Sequence, residues 1–160
     1  MVYRTRVLIT TDAVAVMQTA QVVGLSSTQL NALGSNQVRA LSAAQIQSLS
    51  STQLNTLASN STAVLQTLSS SEIQALNVSA VSGMSSTALA NLSTSQIKFL
   101  TPTQFKNLST TQLGQLTATT QVTALTSAQV SNLSATQLGA LSSSFVQNLN
   151  SSAFGGLSGS

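Results

Sequence analysis

LSSTQLNA, LGSNQVRA, LSAAQIQS, LSSTQLNT: residues 25–56 are one eight-residue phrase written four times, and Leu57 opens a fifth. The phrase is a leucine, a Ser or Thr, two small residues, a Gln, an aliphatic and two more small residues. One apolar row runs through Leu25, Leu33, Leu41, Leu49 and Leu57, then Leu68, Leu76, Met84, Leu92, Leu100 and Leu108, then Leu125, Leu133, Leu141, Leu149 and Leu157. A second row follows five residues behind, through Leu30, Val38, Ile46 and Leu54 to Val130, Leu138, Val146 and Phe154. A repeat this regular determines the fold before any local propensity does.

A continuous helix cannot use the pattern. At about 100° per residue, eight residues carry the leucine row roughly 80° past two full turns, so the stripe would wind off any fixed core. The helix must break once per octad. The residue after each leucine (Ser26, Ser42, Ser50, Ser69, Ser93, Thr101, Ser109, Thr126, Ser134, Ser142) is an N-cap type, able to accept a bond from a first-turn amide. Three residues on stands Gln29, Gln45, Gln53, Glu72, Gln96, Gln104, Gln112, Gln129 or Gln137, which completes a capping box. The leucine is then N′ and the second-row aliphatic N4, the pair that forms a hydrophobic staple.

Rare residues support this phase. Pro102, the single proline, falls at N1 behind Thr101, where a missing N–H costs nothing. The only two acids, Asp12 and Glu72, fall at N2 and N3, and Arg39, Lys98 and Lys106 share the seventh position, so both signs suit the helix dipole. The expected fold is all-α, a solenoid of very short helices with one per octad. The alternative is a β-solenoid. An even period suits a strand face, but a step of five throws the second row to the opposite face, and no Asn-Gly occurs to turn the chain back.

Composition narrows function by exclusion. Charged residues make up 4% of the 160, aromatics 3% and hydrophobics 42%, unlike a disordered chain, and the net charge of +3 is too thin for nucleic acid or an anionic membrane. The surface is therefore expected to be Ser, Thr, Asn and Gln. With no His or Cys and two distant carboxylates, the sequence offers no catalytic residues, no metal site and no cofactor site, and an enzyme is not expected. No apolar run is long enough to cross a membrane. Six N-glycosylation sequons begin at Asn60, Asn77, Asn91, Asn107, Asn132 and Asn150. Three of them (Asn91, Asn107 and Asn132) arise because Asn closes an octad before Leu-Ser, so the set reads as a by-product of the period.

Residues 1–8, with Tyr3, Arg4 and Arg6, stand outside the repeat and are expected to cap the first unit; residues 9–160 form the solenoid. Arg4 and Arg6 before an apolar stretch suggest a signal peptide, but Asp12 interrupts that stretch and the octad phase already occupies it. Three extra residues at Leu57-Ala58-Ser59 are expected to lengthen the preceding helix, after which Ser61 caps the next. A one-residue slip at Leu116 is followed by Gln121 and Val122 in phase. The last octads degrade, with Phe145 in the Gln position and Asn150 in the cap position. The open end suits either a longer array or stacking on another copy.

The segment Leu100-Thr101-Pro102-Thr103-Gln104-Phe105 is similar to the opening helix of TAL-effector DNA-binding repeats, but the base-reading loop of that family is missing and nothing is carried over. As a whole, Ile9 to Leu157 resembles the octapeptide L-[ST]-x-x-Q-[ILV]-x-x arrays of bacterial secreted or surface repeat proteins described as adhesin-like. That resemblance implies an extracellular or cell-surface structural or adhesive role. The expected function is a non-enzymatic stalk, spacer or self-assembling filament or surface-layer component, with self-association its expected partnership and no protein partner named. The alternative is an ice- or carbohydrate-binding module built on regularly spaced Ser and Thr.

Overall fold

The structure, a computed structural model, describes residues 9–60, 62–117 and 119–159; the expected cap segment at residues 1–8 and the cap at Ser61 lie outside them. Among the described residues the chain forms seventeen α-helices, two 3₁₀ turns and no strand, which removes the β-solenoid alternative. All helices but one are four to six residues long.

Their order falls into groups of three. The first turn holds α1 (Thr11–Val16), α2 (Thr19–Val23) and α3 (Ser27–Asn31); the second holds α4 (Ser35–Arg39), α5 (Ala43–Gln47) and α6 (Ser51–Asn60). Next come α7 (Thr62–Leu65), α8 (Ser70–Ala75) and α9 (Val78–Ser82), then α10 (Ser86–Ala90), α11 (Thr94–Phe99) and α12 (Pro102–Lys106). The fifth turn is α13 (Thr110–Gly114), a 3₁₀ turn at Val122–Ala124 and α14 (Ser127–Val130). The sixth is α15 (Ala135–Gly139), α16 (Ser143–Gln147) and α17 (Ser151–Gly155), followed by a 3₁₀ turn at Gly156–Gly159.

Most segments pack on the one three places before them: α4 on α1, α5 on α2, α6 on α3, α8 on α5, α11 on α8, α12 on α9 and α17 on α14. Helix α10 leans instead on the elongated α6. Three octads thus close one turn of the solenoid. Each corner therefore swings the chain by about a third of a circle on average, and the break restarts the helix so that the apolar pairs face one shared core. The N4 aliphatics from Val14 to Val130 and the corner leucines from Leu33 to Leu133 are buried. No single octad could hold this geometry alone, because helices this short are unstable in water and rely on tertiary packing.

The caps form as the sequence requires. Thr10 Oγ1 accepts from Ala13 N–H, and each of the ten hydroxyls from Ser26 to Ser142 named above accepts from the N3 amide of its own helix at 3.1–3.3 Å. Pro102 opens α12, and Arg39, Lys98 and Lys106 lie in last turns. The three-residue insertion makes α6 ten residues long, with Leu57 and Ala58 buried. The one-residue slip is absorbed by a looser cap: Thr117 N–H donates to Gln121 Oε1 across four residues instead of three, and a 3₁₀ turn replaces the helix.

Candidate functional site

The feature that recurs through the array is the corner, and Gln104 shows how it is built. Thr101 N–H donates to Gln104 Oε1 at 2.8 Å, while Gln104 N–H donates back to Thr101 Oγ1 at 3.2 Å. The other end of the same side chain reaches the turn below, where Gln104 Nε2 donates to Ile73 O at 3.0 Å and Leu76 O at 2.7 Å. A short helix leaves orphan N–H groups at its start and orphan carbonyls at its end. One primary amide satisfies both kinds at once, because it carries an acceptor and two donors. The N–H partner lies on one side and the carbonyls on the other, so only one orientation of the amide serves both.

The same bridge runs up the array. Gln45, Gln53, Gln96, Gln104, Gln112, Gln121, Gln129 and Gln137 each donate from Nε2 to carbonyls 28–32 residues earlier. These eight side chains are 1–7% exposed, and among the described residues no buried side-chain polar atom lacks a partner. The expectation of a Gln-bearing surface holds for Gln47, Gln66, Gln74 and Gln115, which are exposed, but not for the eight bridging side chains. These glutamines are interior groups, buried without penalty because their hydrogen bonds are met. The capping half of their role was legible in S/T-x-x-Q. The bridging half was not, since nothing local marks a partner some thirty residues away.

Departures from Gln show what the corner requires. Glu72 caps like Gln, accepting from Ser69 N–H, but an ionised carboxylate has no donor for the turn below. Asn150, in the cap position of a degraded octad, both caps and bridges: its Oδ1 accepts from Ala153 N–H, and its Nδ2 donates to Thr123 O and Leu125 O. The shorter amide serves from N-cap because that position lies nearer the corner below. Phe145 fills its Gln position with a buried ring.

The remaining polar groups are scattered. Asp12, Arg39, Glu72, Lys98 and Lys106 sit on five different helices, and no group of three metal-binding side chains occurs among the described residues. A groove of about 520 Å³ runs along a column of corners past Val23, Ser48, Leu49, Asn77 and Ala80, with no titratable side chain on its wall. Several sequon asparagines are engaged in the fold. Asn60 Nδ2 donates to Leu33 O, Asn107 to Thr103 O and Asn132 to Ala128 O, and Asn77 Oδ1 accepts from Ser79 N–H. No described helix is long and apolar enough to cross a membrane.

No curated protein matches the chain. Residues 27–59, the stretch from α3 through most of α6, match the family model described as the ALTTAQ repeat, and together with the helical array this makes the chain a repeat protein built from short capped helices.

Proposed function

We propose that this chain is a non-enzymatic structural element, a stalk, spacer or self-assembling component working outside the bacterial cell. The observation that supports this reading is the recurring corner amide: eight buried glutamines tie most turns to the one below through main-chain groups. Such ties resist extension along the axis without needing a ligand, a metal or charge. The outer surface is mainly Ser, Thr, Asn and Gln, with Asp12, Arg39, Lys98 and Lys106 as scattered exposed charges, which suits a chain that has to stay soluble over a range of salt. The adhesin-like resemblance supports the extracellular placement.

Labelling of intact cells that express the chain tests the placement; label that enters only after permeabilisation overturns it. Solution scattering tests the spacer role. Six stacked layers at the usual helix spacing of about 8–10 Å give a rod about 50–60 Å long. A particle that is compact, or that changes length with salt, contradicts a rigid spacer.

A second reading, recognition of ice or carbohydrate, draws on Thr28, Thr52, Ser79 and Thr103, which occupy the same exposed N2 site on the successive stacked helices α3, α6, α9 and α12. Thermal hysteresis or glycan retention by the wild-type chain would favour it; the absence of both ends it.

A further inference from the structure

We infer that the two end surfaces of the array are complementary, so that a second copy of this chain stacks head to tail and continues the column of corner amides. The inference rests on the self-assembling form of the function proposed above and names the interface.

Inside the array, each turn presents N4 aliphatics and corner carbonyls upward, and the next turn covers them with its corner aliphatics and, at most corners, a side-chain amide. The sixth turn presents the upward half alone. Leu138 and Val146 are half-buried and Phe154 is 55% exposed, whereas the N4 residues of the turns beneath are about 0–1% exposed. The corner carbonyls of Leu141 and Leu149 receive no side-chain donor among the described residues, unlike those of Leu68, Leu76, Met84, Leu92, Leu100 and Leu108.

The first turn presents the downward half. Gln21 and Gln29 use Oε1 to accept from Gln18 N–H and Ser26 N–H, but their Nε2 groups have no partner among the described residues and both side chains are exposed. Beside them Met17 and Leu25 are only partly buried, while the corner leucines from Leu33 to Leu133 are fully so.

The register also matches. If α1 of a second copy sits on α15, then α2 sits on α16 and α3 on α17. The spacing that takes Gln104 to Ile73 and Leu76 then takes Gln21 to Leu138 O and Leu141 O, and Gln29 to Val146 O and Leu149 O. The third corner needs no amide, for Ala13 holds the N3 site of α1. There the 3₁₀ turn at Gly156–Gly159 already lies against α14. Two donors meet two open corners, and the corner without a donor meets the occupied one.

The test uses two blocked ends. In Gln21→Glu/Gln29→Glu the carboxylates keep the caps, as Glu72 does in the native chain, but lose the donors. Phe154→Glu blocks the opposite end. Ser71→Glu/Thr103→Glu adds the same charge on exposed mid-array sites and serves as the control. Sedimentation velocity over a concentration series is expected to show wild type and control growing into end-to-end species. Each blocked variant alone is expected to stay monomeric, and a mixture of the two blocked variants to stop at a one-to-one dimer, because one free top meets one free bottom. Wild type that stays monomeric at every concentration overturns the inference and leaves the spacer reading intact. Blocked variants that assemble like wild type, or a mixture without dimer, overturn the end interface while leaving self-assembly by another surface. Circular dichroism on each variant confirms that the array is folded.

Discussion

Replacing Gln104 with Met removes the corner amide while keeping the length and apolar stem of the side chain. Three strong hydrogen bonds disappear: from Thr101 N–H to Oε1, and from Nε2 to Ile73 O and Leu76 O. A buried hydrogen bond contributes about 1 kcal/mol net, and leaving its partners unmet raises the cost, so the loss should be about 3–5 kcal/mol. Gln29→Met is the internal comparison. Its side chain is exposed and its amide bridges to nothing among the described residues, so it forfeits only the Ser26 cap, under about 1 kcal/mol. Urea denaturation followed by circular dichroism, at a dilution where the chain is monomeric, measures both. Hydrogen exchange at the Thr101 amide shows whether the Gln104 loss is local, as nearest-neighbour stability requires. A third substitution, Gln104→Glu, adds a pH dependence. Burial raises the carboxyl's pKa above its unfolded value of about 4.3. The folded state then favours the protonated form, so the variant is least destabilised below that pH and weakens as pH rises through the raised folded value. If Gln104→Met and Gln29→Met cost the same within about 0.5 kcal/mol, the bridges between turns contribute nothing and the corner account is wrong.

Glu72→Gln should stabilise the chain by about 1–2 kcal/mol, because the amide keeps the Ser69 cap and supplies a donor for the corner before α5; a lower urea midpoint than wild type contradicts this. Leu41→Ala empties a buried corner and should cost about 2–5 kcal/mol, visible as a lower thermal midpoint and faster exchange in α4 and α5. Gly83 and Gly114 should respond to Ala with opposite signs. A Cβ on Gly83 would stand 2.7 Å from Ser51 Cβ and 3.2 Å from Ser79 O, forcing two turns apart, whereas at Gly114 it meets nothing within 4 Å. Gly114→Ala should therefore raise stability by about 0.4–1 kcal/mol through the unfolded state, and Gly83→Ala should lower it; thermal melts of the pair decide.

The sequence alone determined everything that happens within one octad. Caps, staples, helix starts and the sites of Pro102, Asp12 and Glu72 depend on atoms no more than five residues apart, so a motif of eight residues contains them in full. It also showed where the array slips, because an insertion shifts the phase of every later leucine. Tertiary structure alone decided that three octads close a turn, since that count depends on how much a corner rotates the chain, and no residue type encodes an angle by itself. It likewise decided the second role of the glutamines. Gln45 and Gln104 read as solvated cap residues until the carbonyls of Val14, Met17, Ile73 and Leu76 arrive beneath them from about thirty residues away. An amide with one half engaged locally gives no sign of what its other half will meet, and only the closing of the turn brings the partner into reach.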